Sequence, residues 1–255
     1  MSEFNQDNRI SVTRFISALD RCFLSNDLDG ADRLIEKWRQ DATEAGDDRA
    51  LLTIDNEGLG LYRRTSNYDK AMRSVQSVKN LIEKTQMDKR SSGATAYVNL
   101  ATTLKAFGKP KEALQYYRLA ENVYINLGLT DAYEYSALLN NRSSAYSELK
   151  EYDMAEADLV KAVEILKKHT EYDGQIAVAL VNLAHVVYDR SDQDTDRVEA
   201  LLDEAWEYLN SKNLVKDGEY AFIISKCAPS LRYFNRFDEA DALEYVAQEI
   251  YGGNK

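Results

Sequence analysis

Between residues 93 and 128 the apolar positions keep a helical beat. Tyr97, Leu100, Ala101 and Leu104 recur every three to four residues, which places them on one stripe of a helix. Gly108 and Pro110 then interrupt the pattern. Glycine supplies a left-handed turn, and proline starts a helix where its missing N–H costs nothing. Ala113, Leu114, Tyr117 and Ala120 resume the stripe. The pattern predicts two antiparallel helices, A and B. Small residues at Ala101, Ala113 and Ala120 would let their backbones approach closely.

The same arrangement returns along the whole chain. An alanine recurs at Ala31, Ala71, Ala113, Ala155 and Ala240, with Val198 in the missing slot, so successive intervals are 40, 42, 42, 43 and 42 residues. Six units follow, at roughly 10–45, 49–88, 93–128, 132–170, 174–212 and 218–252. Polar, turn-rich segments at 43–48, 88–93, 127–132, 171–174 and 215–218 separate them, none long enough for an interdomain tether. The expectation is one all-α repeat domain over 1–255, each unit burying its apolar face on its neighbours.

The order of large, small and turn residues resembles the tetratricopeptide repeat, in a lengthened form similar to that of kinesin light chains and many bacterial arrays. The helix-A aromatic-or-leucine slot falls on Phe15, Tyr97, Leu139, Leu180 and Ile224, and the later tyrosine slot on Tyr62 and Tyr146. The turn slot falls on Asn26, Ser66, Gly108, Lys150 and Asn235, and the helix-B alanine slot on Ala120, Ala162, Ala205 and Ala247. The resemblance implies a right-handed α-α superhelix of about six helix pairs, whose A helices line a concave groove. HEAT repeats share this length, but the small close-packing residues and the tyrosines favour the tetratricopeptide pattern. Departures are Asp55 and Gly58 where large apolar residues are usual, Arg142 where leucine is usual, and a longer acidic turn, DRSDQDTD, at 189–196. The first and sixth units are the least regular, which suits caps.

Charge and composition narrow the partners. Lys+Arg of 32 against Asp+Glu of 43 gives a net charge of −11, spread along the chain, so nucleic acid is a poor partner. No stretch is apolar enough for a membrane span, and the N-terminal MSEFNQDNR lacks the apolar core of a signal peptide. These features predict a cytoplasmic protein. Cys22 and Cys227 stand alone on apolar helix faces and are expected to be reduced and buried. The two histidines, His169 and His185, fit no metal-ligand spacing, and no phosphate loop, dinucleotide fingerprint or nucleophile elbow occurs. No catalysis, cofactor or metal is expected.

The most specific polar signal is a row of asparagines. Asn99, Asn141 and Asn182 share one helix-A register, Glu57 takes that place in the second unit, and Asn56 and Asn140 occupy the place before it. An amide offers donors and an acceptor, the complement of a peptide backbone. Asparagine is also a poor helix-interior residue, so three at one register call for a reason. The resemblance implies a row that holds an extended peptide in the groove; alternatively, the amides only satisfy carbonyls inside the stack. Further candidates on the same faces are Arg63, Arg64, Thr102, Lys105, Ser144, Ser147, Glu148, His185, Tyr188 and Asp189. Arg142 either pairs with a nearby carboxylate or forks onto an acidic ligand. Thr95 and Val178 stand where a chaperone-tail clamp would have its third-unit lysine, which disfavours that ligand.

The function so read is a non-catalytic scaffold binding an extended peptide or protein segment. The alternative is a ligand-sensing array, of the bacterial peptide-responsive type, acting on a separate output protein. Self-association through the terminal repeats is compatible with either.

Overall fold

The computed structural model describes residues 10–191 and 194–252. They form twelve α-helices: α1 (Val12–Leu24), α2 (Leu28–Ala45), α3 (Asp48–Arg64), α4 (Tyr68–Lys84), α5 (Ser91–Ala106), α6 (Pro110–Asn126), α7 (Tyr133–Glu148), α8 (Tyr152–Leu166), α9 (Asp173–Arg190), α10 (Thr195–Leu209), α11 (Gly218–Tyr233) and α12 (Phe237–Gly252). Short 3₁₀ turns at Met87–Lys89 and Thr170–Tyr172 precede α5 and α9, and no strand occurs among the described residues. The segment MSEFNQDNR, and Asp192 and Gln193 of the acidic turn, lie outside the described residues.

The chain divides into two compact units, Met1–Leu129 and Thr130–Lys255. In the first, α1–α2, α3–α4 and α5–α6 pack as pairs, with the first helices α1, α3 and α5 side by side. In the second the pairs are α7–α8, α9–α10 and α11–α12, with α7, α9 and α11 side by side.

The small-residue register is where the pairs meet. Ala31, Ala71, Ala113, Ala155 and Ala240 are wholly buried, as are Ala101 and Ala120. Tyr62, Tyr117 and Tyr124 fill the space around these contacts and are themselves buried. Burying each such side chain is worth roughly 1.5–3 kcal/mol.

The turns inside the pairs follow one rule. Asn26, Ser66, Gly108, Lys150 and Asn235 all have positive φ, between 53° and 75°. After each, the next backbone N–H reaches five residues back, as in Asn67 N to Tyr62 O and Glu151 N to Tyr146 O, both 2.9 Å. This closes the first helix with a left-handed cap. In the first two pairs the residue that follows caps the second helix: Asp27 accepts from Gly30 N at 2.7 Å and Asn67 from Lys70 N at 3.2 Å. The fifth pair departs from the rule, because Ser191 after α9 is extended at φ −160°.

Two departures in α3 have structural causes. Asp55 is fully buried and accepts from Arg39 Nε at 2.8 Å, so an ion pair between α2 and α3 fills a slot meant for a large apolar residue. At Gly58 a Cβ would lie 3.1 Å from the Tyr62 ring and 3.2 Å from Ser74 Oγ, tighter than an ordinary contact, so glycine relieves crowding where α3 meets α4. Cys227 is buried as expected, whereas Cys22 is only partly buried, which corrects its assignment to the core.

Candidate functional site

The asparagines lie on the faces formed by the first helices. In the first unit Asn99 Nδ2 on α5 donates to Asn56 Oδ1 on α3 at 3.1 Å. In the second, Asn182 Nδ2 on α9 donates to Asn140 Oδ1 on α7 at 3.0 Å. The two bonds are equivalent: each joins the shared register on one helix to the preceding position on its neighbour. A one-residue offset is needed because side by side helices bring those two positions opposite each other. Asn141, at the shared register itself, donates instead to the carbonyl of Ala137 in its own helix, 2.8 Å away. All five side chains are half-buried. Each pair spends one donor and one acceptor, and an amide carries two donors and an acceptor with two lone pairs, so each retains capacity for a ligand.

Around the first pair, Thr102 Oγ1 lies 2.9 Å from Tyr117 Oη and 2.8 Å from the Val98 carbonyl. Arg63, on α3, is half-buried, and its Nη1 is buried with no hydrogen-bond partner among the described residues. Burial lowers the pKa of this guanidinium, an effect that the neighbouring Tyr117 opposes. Lys105, near the end of α5, is half-buried. Glu57 is held above the usual carboxylate range by burial, offset by its bond to Asn56 and reinforced by the charge of Asp20.

Around the second pair a cleft of about 190 Å³ is lined by Asn140, Asn141, Ser144, Val178, Val181, Asn182, Lys226 and Cys227. His185 and Tyr188 lie further along α9 and pack with Tyr233 and Phe234 at the end of α11, ring centroids 4.7–5.9 Å apart. Burial depresses the His185 pKa, against the opposing charge of Asp189, which favours the neutral imidazole.

Arg142 is corrected. Its guanidinium is buried inside the α7–α8 pair and bonded to Asp158, so it is not presented to a ligand. Sequence reasoning also missed Lys226, whose signal was present. It stands two residues after Ile224, as Asn99 does after Tyr97 and Asn182 after Leu180, and so carries the shared register into the sixth unit. Tyr233 and Phe234 gave no such signal, because they lie at the end of the helix and beyond the register pattern.

Residues 59–126 and 136–169 match family models described as tetratricopeptide repeat. The chain carries tetratricopeptide repeats. Its fold is similar to that of BtubC (BKLC) from P. vanneervenii, with a TM-score of 0.58 at 18% identity over 96% of this chain and 92% of that one. TPR-like repeats from Podosopora anserina, described as a kinesin light chain, give a TM-score of 0.57 at 15% identity over 82% of this chain and 97% of that one. No curated protein matches the sequence. The tetratricopeptide repeats mark a protein-interaction scaffold. No helix among the described residues is long and apolar enough to cross a membrane.

Proposed function

We propose that the scaffold binds an extended protein segment along the faces of its first helices, with the asparagine pairs gripping the segment's backbone. The observation that carries this reading is the recurrence of one half-buried Asn–Asn bond at equivalent places in the two units. Half-exposed amides with spare donors and acceptors suit a ligand that brings its own C=O and N–H groups. Thr102, Ser144, Lys105 and Lys226 flank the pairs, and Arg63 adds a desolvated cation whose Nη1 still lacks an acceptor.

The test is site-directed photocrosslinking. A crosslinker at Thr102 or Ser144 should capture a bound segment, and the same group at Leu119 or Val160, exposed on second helices, should not. Capture from the second helices alone would overturn the reading.

A further inference from the structure

Successive second helices are joined by a recurring ion pair. Counting from the small register residue, Asp32 stands one position after Ala31 and accepts from Lys70, one before Ala71, at 2.6 Å. Glu156, one after Ala155, accepts from Arg197, one before Val198, at 2.5 Å. Glu199, one after Val198, accepts from Arg236 near the start of α12, at 2.6 Å, with Asp203 at the same distance. Glu36, five after Ala31, accepts from Arg73, two after Ala71. On α2, α8 and α10 acid therefore faces the helix that follows, and on α4, on α10 and beside the start of α12 base faces the helix before. Lys167 at the end of α8 meets Glu204 of α10 in the opposite sense.

The outermost second helices, α2 and α12, carry the same register positions. On α12, Asp241 occupies the place of Asp32 and Glu199, exposed, with no following helix among the described residues; its contact is to Arg232 on α11. Asp238 and Glu249 are exposed nearby, and Tyr245, at the place of Glu36, is 64% exposed. On α2, Arg33 occupies the place of Arg73, exposed and without an ion pair among the described residues. Arg33, Arg21 and Lys37 ring an open cleft of about 500 Å³ whose floor is apolar, built from Ala18, Cys22 and Leu34. One free edge is basic around an apolar cleft. The other is acidic around an exposed aromatic ring.

We infer that these edges bind each other between copies of this chain, α12 of one copy taking the place of a helix before α2 of the next. Asp241, one turn before the place of Glu36, is set against Arg33, and Tyr245, at that place itself, enters the cleft over Leu34. The contact extends the side-chain ion pairing seen between α2 and α4, α8 and α10, and α10 and the start of α12, and it is complementary in charge although the chain as a whole is acidic. It joins two different surfaces, so each bound copy still offers one free edge. Exposed ion pairs are individually weak and screened by salt, so association belongs to high protein concentration and low ionic strength.

Sedimentation velocity on the full chain, across a concentration series at low and high salt, tests this. The wild type should gain mass with concentration at low salt. Arg33→Glu alone and Asp241→Arg alone should each weaken association at least tenfold, and an equimolar mixture of the two should restore it, since each supplies the edge that the other needs. Tyr245→Ala should weaken it without changing any charge. Circular dichroism and melting temperature confirm that each variant is folded. A wild type that stays monomeric throughout overturns the inference, as does association that is untouched by Arg33→Glu or not restored on mixing. Replacing Asn99 and Asn182 leaves this association intact, so its failure and that of the backbone-gripping reading are separable.

Discussion

The guanidinium of Arg142 forks onto the carboxylate of Asp158, Nε and Nη2 each 2.7 Å from an oxygen, with both residues buried and the Tyr146 ring centroid 5.8 Å from the guanidinium carbon. A bidentate pair of this kind fixes how α7 lies on α8 as well as neutralising two buried charges. Removing one partner strands the other. Arg142→Ala should cost about 3–5 kcal/mol in chemical denaturation, and replacing both residues by leucine should recover much of that loss. If the double variant is as unstable as the single one, packing and not the ion pair sets the cost.

Close approach at the register alanines gives a second expectation. Ala113→Leu and Ala155→Leu introduce bulk at sites with no exposure, and overpacking of this kind costs roughly 1–3 kcal/mol. Ala106→Leu, on an exposed position, should leave the thermal midpoint nearly unchanged. Equal midpoints for the three variants would contradict the observed packing.

At the turns, Lys150 and Ser66 hold positive φ with a side chain present, at 60° and 54°. Left-handed backbone costs a side-chain-bearing residue roughly 1–2 kcal/mol relative to glycine. Lys150→Gly and Ser66→Gly should therefore stabilise the chain, by somewhat less than that because glycine also loosens the unfolded state. Gly108→Val should destabilise it. Urea midpoints decide the sign in each case.

His185 supplies a pH dependence. Its folded pKa is depressed by burial, so the unfolded chain takes up the proton first as pH falls. The stabilising contribution is present above the ordinary histidine range, near pH 6.5, and is lost as pH drops through that range toward the lower folded pKa. Between pH 7 and 5 the wild type should lose more stability than His185→Phe, in which the ring stays neutral. Parallel losses in both proteins would place the pH dependence elsewhere.

Asn99→Ala combined with Asn182→Ala separates binding from structure. Each lost amide bond is worth about 0.5–1.5 kcal/mol. If the pairs grip a ligand backbone, affinity for a captured segment falls about tenfold or more while the melting temperature changes little. A lower melting temperature with unchanged affinity would assign the pairs to the stack alone.

The turns and packing registers were legible in the sequence because each is dictated locally. A left-handed position at Asn26, Ser66, Gly108, Lys150 and Asn235 is fixed by the spacing between two apolar stripes, whatever else the chain does. The candidate site was legible only in part. Alignment put Asn99, Asn141 and Asn182 in one row, but which amide meets which depends on the axial offset between neighbouring helices, and that offset pairs Asn99 with Asn56 and leaves Asn141 to its own helix. Arg142 was ambiguous because its partner, Asp158, lies on the next helix, and spacing alone does not show which carboxylate the fold brings to it. Lys226 holds the same position in the sixth unit, the least regular with the first, where no amide marks the register.

The environment of Cys227 has a practical outcome for labelling chemistry. Burial pushes its thiol up to about 12, so at neutral pH it is held as the thiol and not as the thiolate that reacts with a maleimide. Cys22 is the more accessible thiol, and it lies in the floor of the cleft beside Arg21 and Arg33. The native chain thus carries a selective attachment point at its basic edge, where a fluorophore needs no engineered cysteine and no removal of a competing one.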